Sequence, residues 1–120
     1  MILDALYIIL SPVASAYPLV GDIEAATPFV IFKAEPEVLR DKDGINGYEY
    51  TVSIGVIDPD PDAVDTLTES VKTAVLAVTG TVSGTTFEAV LFTNESGMYF
   101  LDTDQVYEND LEFLISTLNR

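Results

Sequence analysis

The densest set of potential ligands in the chain is Asp58-Pro59-Asp60-Pro61-Asp62. Three carboxylates at alternate positions have the spacing that opens a calcium loop. Such a loop also needs a Gly at its sixth position and a bidentate Glu at its twelfth. Counted from Asp58, those positions hold Ala63 and Glu69. The Glu matches, the Gly does not, and two prolines stiffen the backbone. The same residues make a better helix start. Asp60 can cap, Pro61 needs no N–H at the first helical position, and Asp62 and Asp65 put negative charge at the positive end of the helix dipole.

The remaining candidates are weaker. Asp41/Asp43 and Asp102/Asp104 sit among turn-forming residues and read as turn chemistry. The chain has no His and no Cys. That removes the commonest general base, the commonest transition-metal ligand, the thiolate nucleophile and any disulfide. No phosphate-cradling Gly loop, no nucleophile elbow and no carboxylate pair with an accompanying base is visible. No catalytic, cofactor-binding or metal-ligating residue is therefore assigned, no cofactor is expected, and the chain is not expected to be an enzyme.

Charge narrows the partners. Five basic residues against twenty acidic give a net charge of −15 over 120 residues. Phosphate binding needs clustered Lys and Arg, so nucleic acid and anionic membrane surfaces are repelled. Solubility alone accounts for such a charge. Two of the five cations, Arg40 and Lys42, fall in the polar stretch EPEVLRDKDGING at 35–47, flanked by Asp41 and Asp43. This stretch reads either as a solvated tip or as a contact arm seeking an acidic neighbour, another copy of the chain included. Arg40, Asp41, Lys42 and Asp43 are the candidate protein-interaction residues.

At this length, with 48% hydrophobic residues, residues 1–120 are expected to form one globular domain. The opening MILDALYIIL carries Asp4 and no basic residue, unlike a secretory signal. No apolar run approaches the roughly 18 residues of a membrane span.

The elements that must position these residues are organised around Tyr48–Val78. Tyr48, Tyr50, Val52, Ile54 and Val56 alternate with Glu49, Thr51, Ser53 and Gly55, a strand with one buried face. Val64, Leu67, Val71, Ala74, Val75 and Val78 then fall three or four apart on one helix face, with Gly80 as the expected stop. Upstream, residues 1–17 read as a first helix that Pro12 kinks or ends. Residues 19–24 read as a short strand, and Phe29-Val30-Ile31-Phe32 as a strand buried on both faces. Downstream, Thr85–Phe92 and Gly97–Leu101 read as a hairpin turning at 94–97, with Gly97 left-handed. Residues 107–118 fit both periods: Tyr107, Leu111, Phe113 and Ile115 alternate with acids, and Leu111, Leu114, Ile115 and Leu118 make a helical stripe. Phe113 and Ile115 favour a strand slightly. Phe29, Phe32, Tyr50, Phe87, Phe92 and Phe113 are expected in the core, and Tyr7, Tyr17, Tyr99 and Tyr107 at its edge or at an interface. The fold expected is α+β: a mainly antiparallel sheet of about four to five strands, with an N-terminal helix and a second helix packed on it.

The order of these segments resembles the tail completion, or tail terminator, proteins of long-tailed bacteriophages. The matching pieces are LDALYIIL, Val20-Gly21-Asp22-Ile23, PFVIFKAE, YEYTVSIGVIDPDPDAVDTLTESVKTAV and SGMYFLDTDQVYENDLEFLIST. They cover nearly the whole chain, although the tryptophans usual in the middle and last strands are absent. The resemblance implies a minor tail protein at the head-proximal end of the virion tail, assembled in the host cytoplasm. It implies a hexameric ring of this chain on the last ring of tail tube protein. That ring stops tube growth and meets the head-completion or connector proteins, while DNA passes through without being specifically bound. The rival expectation is a small acidic cellular adaptor or regulatory module that binds a basic protein.

Overall fold

The computed structural model describes residues 2–18, 29–41 and 44–118, with the backbone alone for Pro18, Phe29, 38–41 and 44–46. Among the described residues two helices, α1 (Ile2–Leu10) and α2 (Pro61–Leu76), accompany seven strands. These are β1 (Ser15–Pro18), β2 (Phe29–Asp41), β3 (Gly44–Asp58), β4 (Gly80–Val82), β5 (Thr85–Glu95), β6 (Tyr99–Leu101) and β7 (Val106–Thr117). They form one sheet in the order β1-β2-β3-β7-β5-β4, with β6 on β7. Every pairing is antiparallel except β1 with β2. The α+β class is as expected, with more strands than the four or five anticipated.

Both helices cover the same face. Ile2, Ala5, Leu6 and Leu10 of α1 and Val64, Val71 and Val75 of α2 join one core with Val30 and Phe32 of β2, Tyr50, Val52, Ile54 and Val56 of β3, and Leu111, Phe113 and Ile115 of β7. The alternation in β3 thus faces the core as its period requires. Among the described residues, no helix lies on the opposite face. Across it run rows of cross-strand neighbours: Ile31–Gly55–Asp110, Lys33–Ser53–Glu112 and Glu35–Thr51–Leu114.

The start of α2 is as the sequence dictates. Asp60 is the N-cap, in extended conformation, and its carboxylate accepts from the Asp62 N–H at 3.0 Å. Pro61 occupies the first turn. The helix ends at Leu76 with Ala77 as C-cap, so Gly80 opens β4 rather than stopping the helix.

Four other expectations are corrected. The first helix does not reach residue 17: Pro12 has no N–H to continue the ladder, and the chain turns into β1. Phe29–Phe32 is not buried on both faces, since Ile31 is only half-buried on the open side. Residues 35–41 and 44–47 are strand rather than loop, because β2 and β3 stay paired from Phe29↔Ile57 to Asp41↔Gly44, through a register shift at Leu39/Arg40. The polar composition with Pro36, Gly44 and Gly47 reads as turn chemistry, but the backbone ladder between the two strands continues through it. Residues 94–97 are no hairpin either. Gly97 is left-handed as expected (φ 82°), yet β5 and β6 do not pair with each other. They follow one another along the same side of β7, and the reversal comes at 102–105, where Gln105 takes φ 56°. Residues 106–117 are a strand, central in the sheet. The short strand expected at 19–24 lies outside the described residues.

Candidate functional site

The Asp58–Asp62 cluster serves the chain itself. The Asp58 carboxylate accepts from the Asp60 N–H at 2.8 Å, and the Asp60 carboxylate from the Asp62 N–H. Glu69, which would be the twelfth calcium-loop residue, lies along α2 with its carboxylate 3.4 Å from Lys72. The loop is therefore a helix cap. Among the described residues no group of three or more acids could hold a metal ion. Asp102 and Asp104 are exposed in the β6–β7 turn, where the Asp102 carbonyl accepts from the Gln105 side chain at 2.6 Å. Of the four interaction candidates, Arg40 and Asp41 contribute backbone to the end of β2, opposite Ile45 and Gly44. Lys42 and Asp43 lie outside the described residues.

The structure brings together a different set, on the open face. Glu108 and Asp110 are two apart on β7, so both carboxylates leave the same side. Tyr99 of β6, opposite Glu108 in register, points its hydroxyl between them. Its oxygen lies 2.7 Å from Glu108 Oε2 and 2.7 Å from Asp110 Oδ2. Gly55 is the cross-strand neighbour of Asp110 on β3. A Cβ there would stand 3.0 Å from Ile31 Cγ1, 3.1 Å from Asp110 Oδ1 and 3.4 Å from Glu108 Oε2. Beside it lies a shallow pocket of about 300 Å³, whose lining includes Ile31, Lys33, Ser53, Gly55, Glu108 and Asp110.

The electrostatics follow from this crowding. Burial pushes the Glu108 carboxyl up to about 7, and its hydrogen bond with Asp110 pushes the same way, against the opposing effect of Tyr99. Burial, then the bonds to Asp110 and Glu108, hold the Tyr99 phenol above its ordinary range. Tyr99 as a whole is 39% exposed, so this concerns its hydroxyl end.

A second cluster ties the helix face to β5 and β7. Lys72 Nζ lies 2.6 Å from Glu95 Oε1 and 4.9 Å from the centre of the Phe92 ring. The Asn109 amide donates to Glu95 at 3.2 Å and to Thr68 Oγ1 at 3.3 Å. The Lys72 hydrogen bond, then that of Asn109, lowers the Glu95 carboxyl below its usual value. This cluster fixes α2 on the sheet.

The third feature is an exposed apolar margin along β5 and β6, comprising Leu91, Phe92, Met98, Tyr99 and Phe100. Phe32, Tyr50, Phe87 and Phe113 are buried as expected, whereas Phe92 is exposed and the Phe29 side chain is outside the described residues. Tyr7 and Tyr17 are exposed and Tyr107 half-buried.

This domain of two helices on one sheet has a solved counterpart. It shares its fold with a chain from the virion of a native gene transfer agent particle. The two superpose with a TM-score of 0.69 at 16% identity, over 93% of this chain and 83% of that one. No protein-family model matches the sequence, and no curated protein matches it. Among the described residues no helix is long and apolar enough to cross a membrane.

Proposed function

We propose that this chain is a structural protein of a phage-like virion, and within it the tail terminator. Six copies form a ring on the last ring of tail tube protein, stop tube growth and offer the joining surface to the head-completion or connector proteins. The observation that carries the reading is the shared fold with a chain of a gene transfer agent virion over nearly the whole domain. The resemblance of the sequence segments to tail completion proteins supports the finer assignment. The protein acts by association and carries out no reaction, so it needs no cofactor. Its place is the head-proximal end of the tail, reached from the host cytoplasm.

Physical features fit a ring subunit. The domain is elongated, 51 × 23 × 23 Å. The β2–β3 ribbon passes the end of β7, whose pairing with β3 stops at Tyr48↔Thr117. A two-stranded ribbon is marginally stable by itself, so this one gains from lying against a neighbouring subunit or the tube. A net charge of −15 per copy supplies an acidic lumen through which DNA slides without adhering.

The test is deletion of the gene in its source genome, followed by electron microscopy of the particles released. Filled heads beside detached, overlong or irregular tails are expected. Normal tailed particles from the deletion strain would overturn the reading and favour the acidic adaptor.

A further inference from the structure

The Tyr99 hydroxyl has one hydrogen and two carboxylate oxygens at 2.7 Å. One hydrogen cannot serve both. If both carboxyls were ionised, one short contact would set an anion against the lone pairs of a phenol oxygen, beside a second anion. The arrangement balances when one carboxyl also carries a proton. Two protons then serve three oxygen-bearing groups, and the pair holds a single negative charge. Like charges this close do not both ionise readily, and Gly55 leaves room for the two carboxyls to lie side by side.

The clasp holds a short element. β6 is three residues long and, among the described strands, pairs with β7 alone. Met98, Tyr99 and Phe100 are exposed. Besides the ladder and the Tyr99 hydroxyl, β6 has the contact of the Phe100 ring with the Tyr107 ring, centres 4.9 Å apart. It is flanked by left-handed Gly97 and by the turn at 102–105.

We propose that Tyr99, Glu108 and Asp110 form a proton-loaded clasp that pins β6 to β7 and loosens when that proton leaves to solvent. On release the carboxyl pair goes from one negative charge to two, and Tyr99 can satisfy only one of them. Residues 98–105, with their exposed apolar side chains, then detach from the end of β7, while Ser96 stays bonded to the Asp110 backbone at 2.9 and 3.0 Å and the rest of the sheet stays paired. The groups facing the clasp do not prevent this. β7 adds Glu112, a further negative charge on the same face, and β3 brings only Ser53, Gly55 and Ile57, which do not titrate. β2 brings Lys33, which lies 3.4 Å from Glu35. The elevated range of the Glu108 carboxyl, about 7, puts the release near neutral pH.

The sign is fixed by linkage. An unfolded Glu titrates near 4.5 and the folded one near 7, so the clasp's contribution is fully present below about 4.5 and is lost as pH rises through about 7. Two measurements on the intact chain test the proposal. The first is a carboxyl-carbon NMR titration of the wild type, in which Glu108 is expected to titrate near neutrality; titration in the ordinary range near 4.5 would overturn the clasp. The second is amide-exchange protection of Tyr99–Leu101, corrected for intrinsic rates, at pH 5.5 and 8.5. A drop of about tenfold or more is expected in the wild type, with none in Glu108→Gln, whose amide is always neutral and can still donate. Tyr99→Phe should show low protection at both values. An equal drop in wild type and Glu108→Gln, or no drop in the wild type, would overturn the proposal. The wild-type titration decides the matter even where a variant folds poorly.

Discussion

Gly55 and Asp110 face each other across the β3–β7 ladder, and the side chain that Gly55 lacks is the space into which the Asp110 carboxyl fits. A strand glycine in an otherwise regular alternation marks a close approach rather than a weakness. Gly55→Val should therefore cost about 1–3 kcal/mol, the usual range for overpacking, and part Asp110 from Tyr99. Gly55→Ala should cost less, since its single methyl asks Ile31 Cγ1 and Asp110 Oδ1, 3.0 and 3.1 Å away, to give by only a few tenths of an ångström. Urea unfolding of both variants checks the ranking; a Val variant as stable as wild type would show that the pocket accepts a side chain.

The cap on α2 makes a second prediction. Asp60→Ala removes the acceptor for the Asp62 N–H and should lower stability by about 1 kcal/mol. Asp60→Asn or Asp60→Ser should retain most of it. Thermal melts of the three variants read the order directly.

Lys72 and Glu95 join the helix to the sheet by a 2.6 Å ion pair, with side chains 20% and 34% exposed. Lys72→Ala should cost about 1 kcal/mol, at the upper end for pairs that water still reaches. The Glu95 carboxyl is lowered by its partners, so its contribution is present above about 4.5 and is lost as pH falls below that value. The stability gap between wild type and Lys72→Ala should thus narrow as pH drops from 6 to 3. A gap constant across that range would assign the loss to the lysine's packing on Phe92 instead.

Glu37 and Glu49 are direct cross-strand partners in the β2–β3 ribbon. Like charges in that relation repel, and opposite ones stabilise by roughly 0.2–1 kcal/mol. Glu37→Lys should raise the melting temperature, with a larger gain at low salt than at high. A lower melting temperature would mean that the acid at this position has a partner beyond Glu49.

Assembly should respond to salt in the opposite sense from an ion-paired interface. In the proposed ring, six copies at −15 each would repel one another, and the screening length falls to about 8 Å near physiological ionic strength. Sedimentation should show rings favoured as salt rises; rings that dissolve with added salt would show that interfacial ion pairs hold them. Replacing Leu39–Gly47 with Asn-Gly joins Val38 to its cross-strand partner Tyr48 through a short hairpin turn. This variant should keep its fold and lose ring or tube association.

What the sequence alone determined is local. The α2 start is written in Asp60-Pro61, the helix face in Val64, Val71 and Val75, and the β3 core face in Tyr50 to Val56, because each depends on neighbours within one or two turns of the same element. The lack of His and Cys likewise needed no structure to remove whole classes of chemistry. Only the tertiary structure decided the rest. Residues 106–117 satisfy a strand and a helix period alike, and pairing with β3 on one side and β5 on the other made them a strand. The ribbon of residues 35–41 and 44–47 was illegible because its polar, Pro- and Gly-containing sequence carries turn signals, and only its pairing across the sheet makes it strand. The acidic clasp was half legible: Glu108, Asp110 and Glu112 stand two apart, which puts them on one face of any strand. That Tyr99 and Gly55 meet them there depends on register, which is set across the sheet and not along the chain.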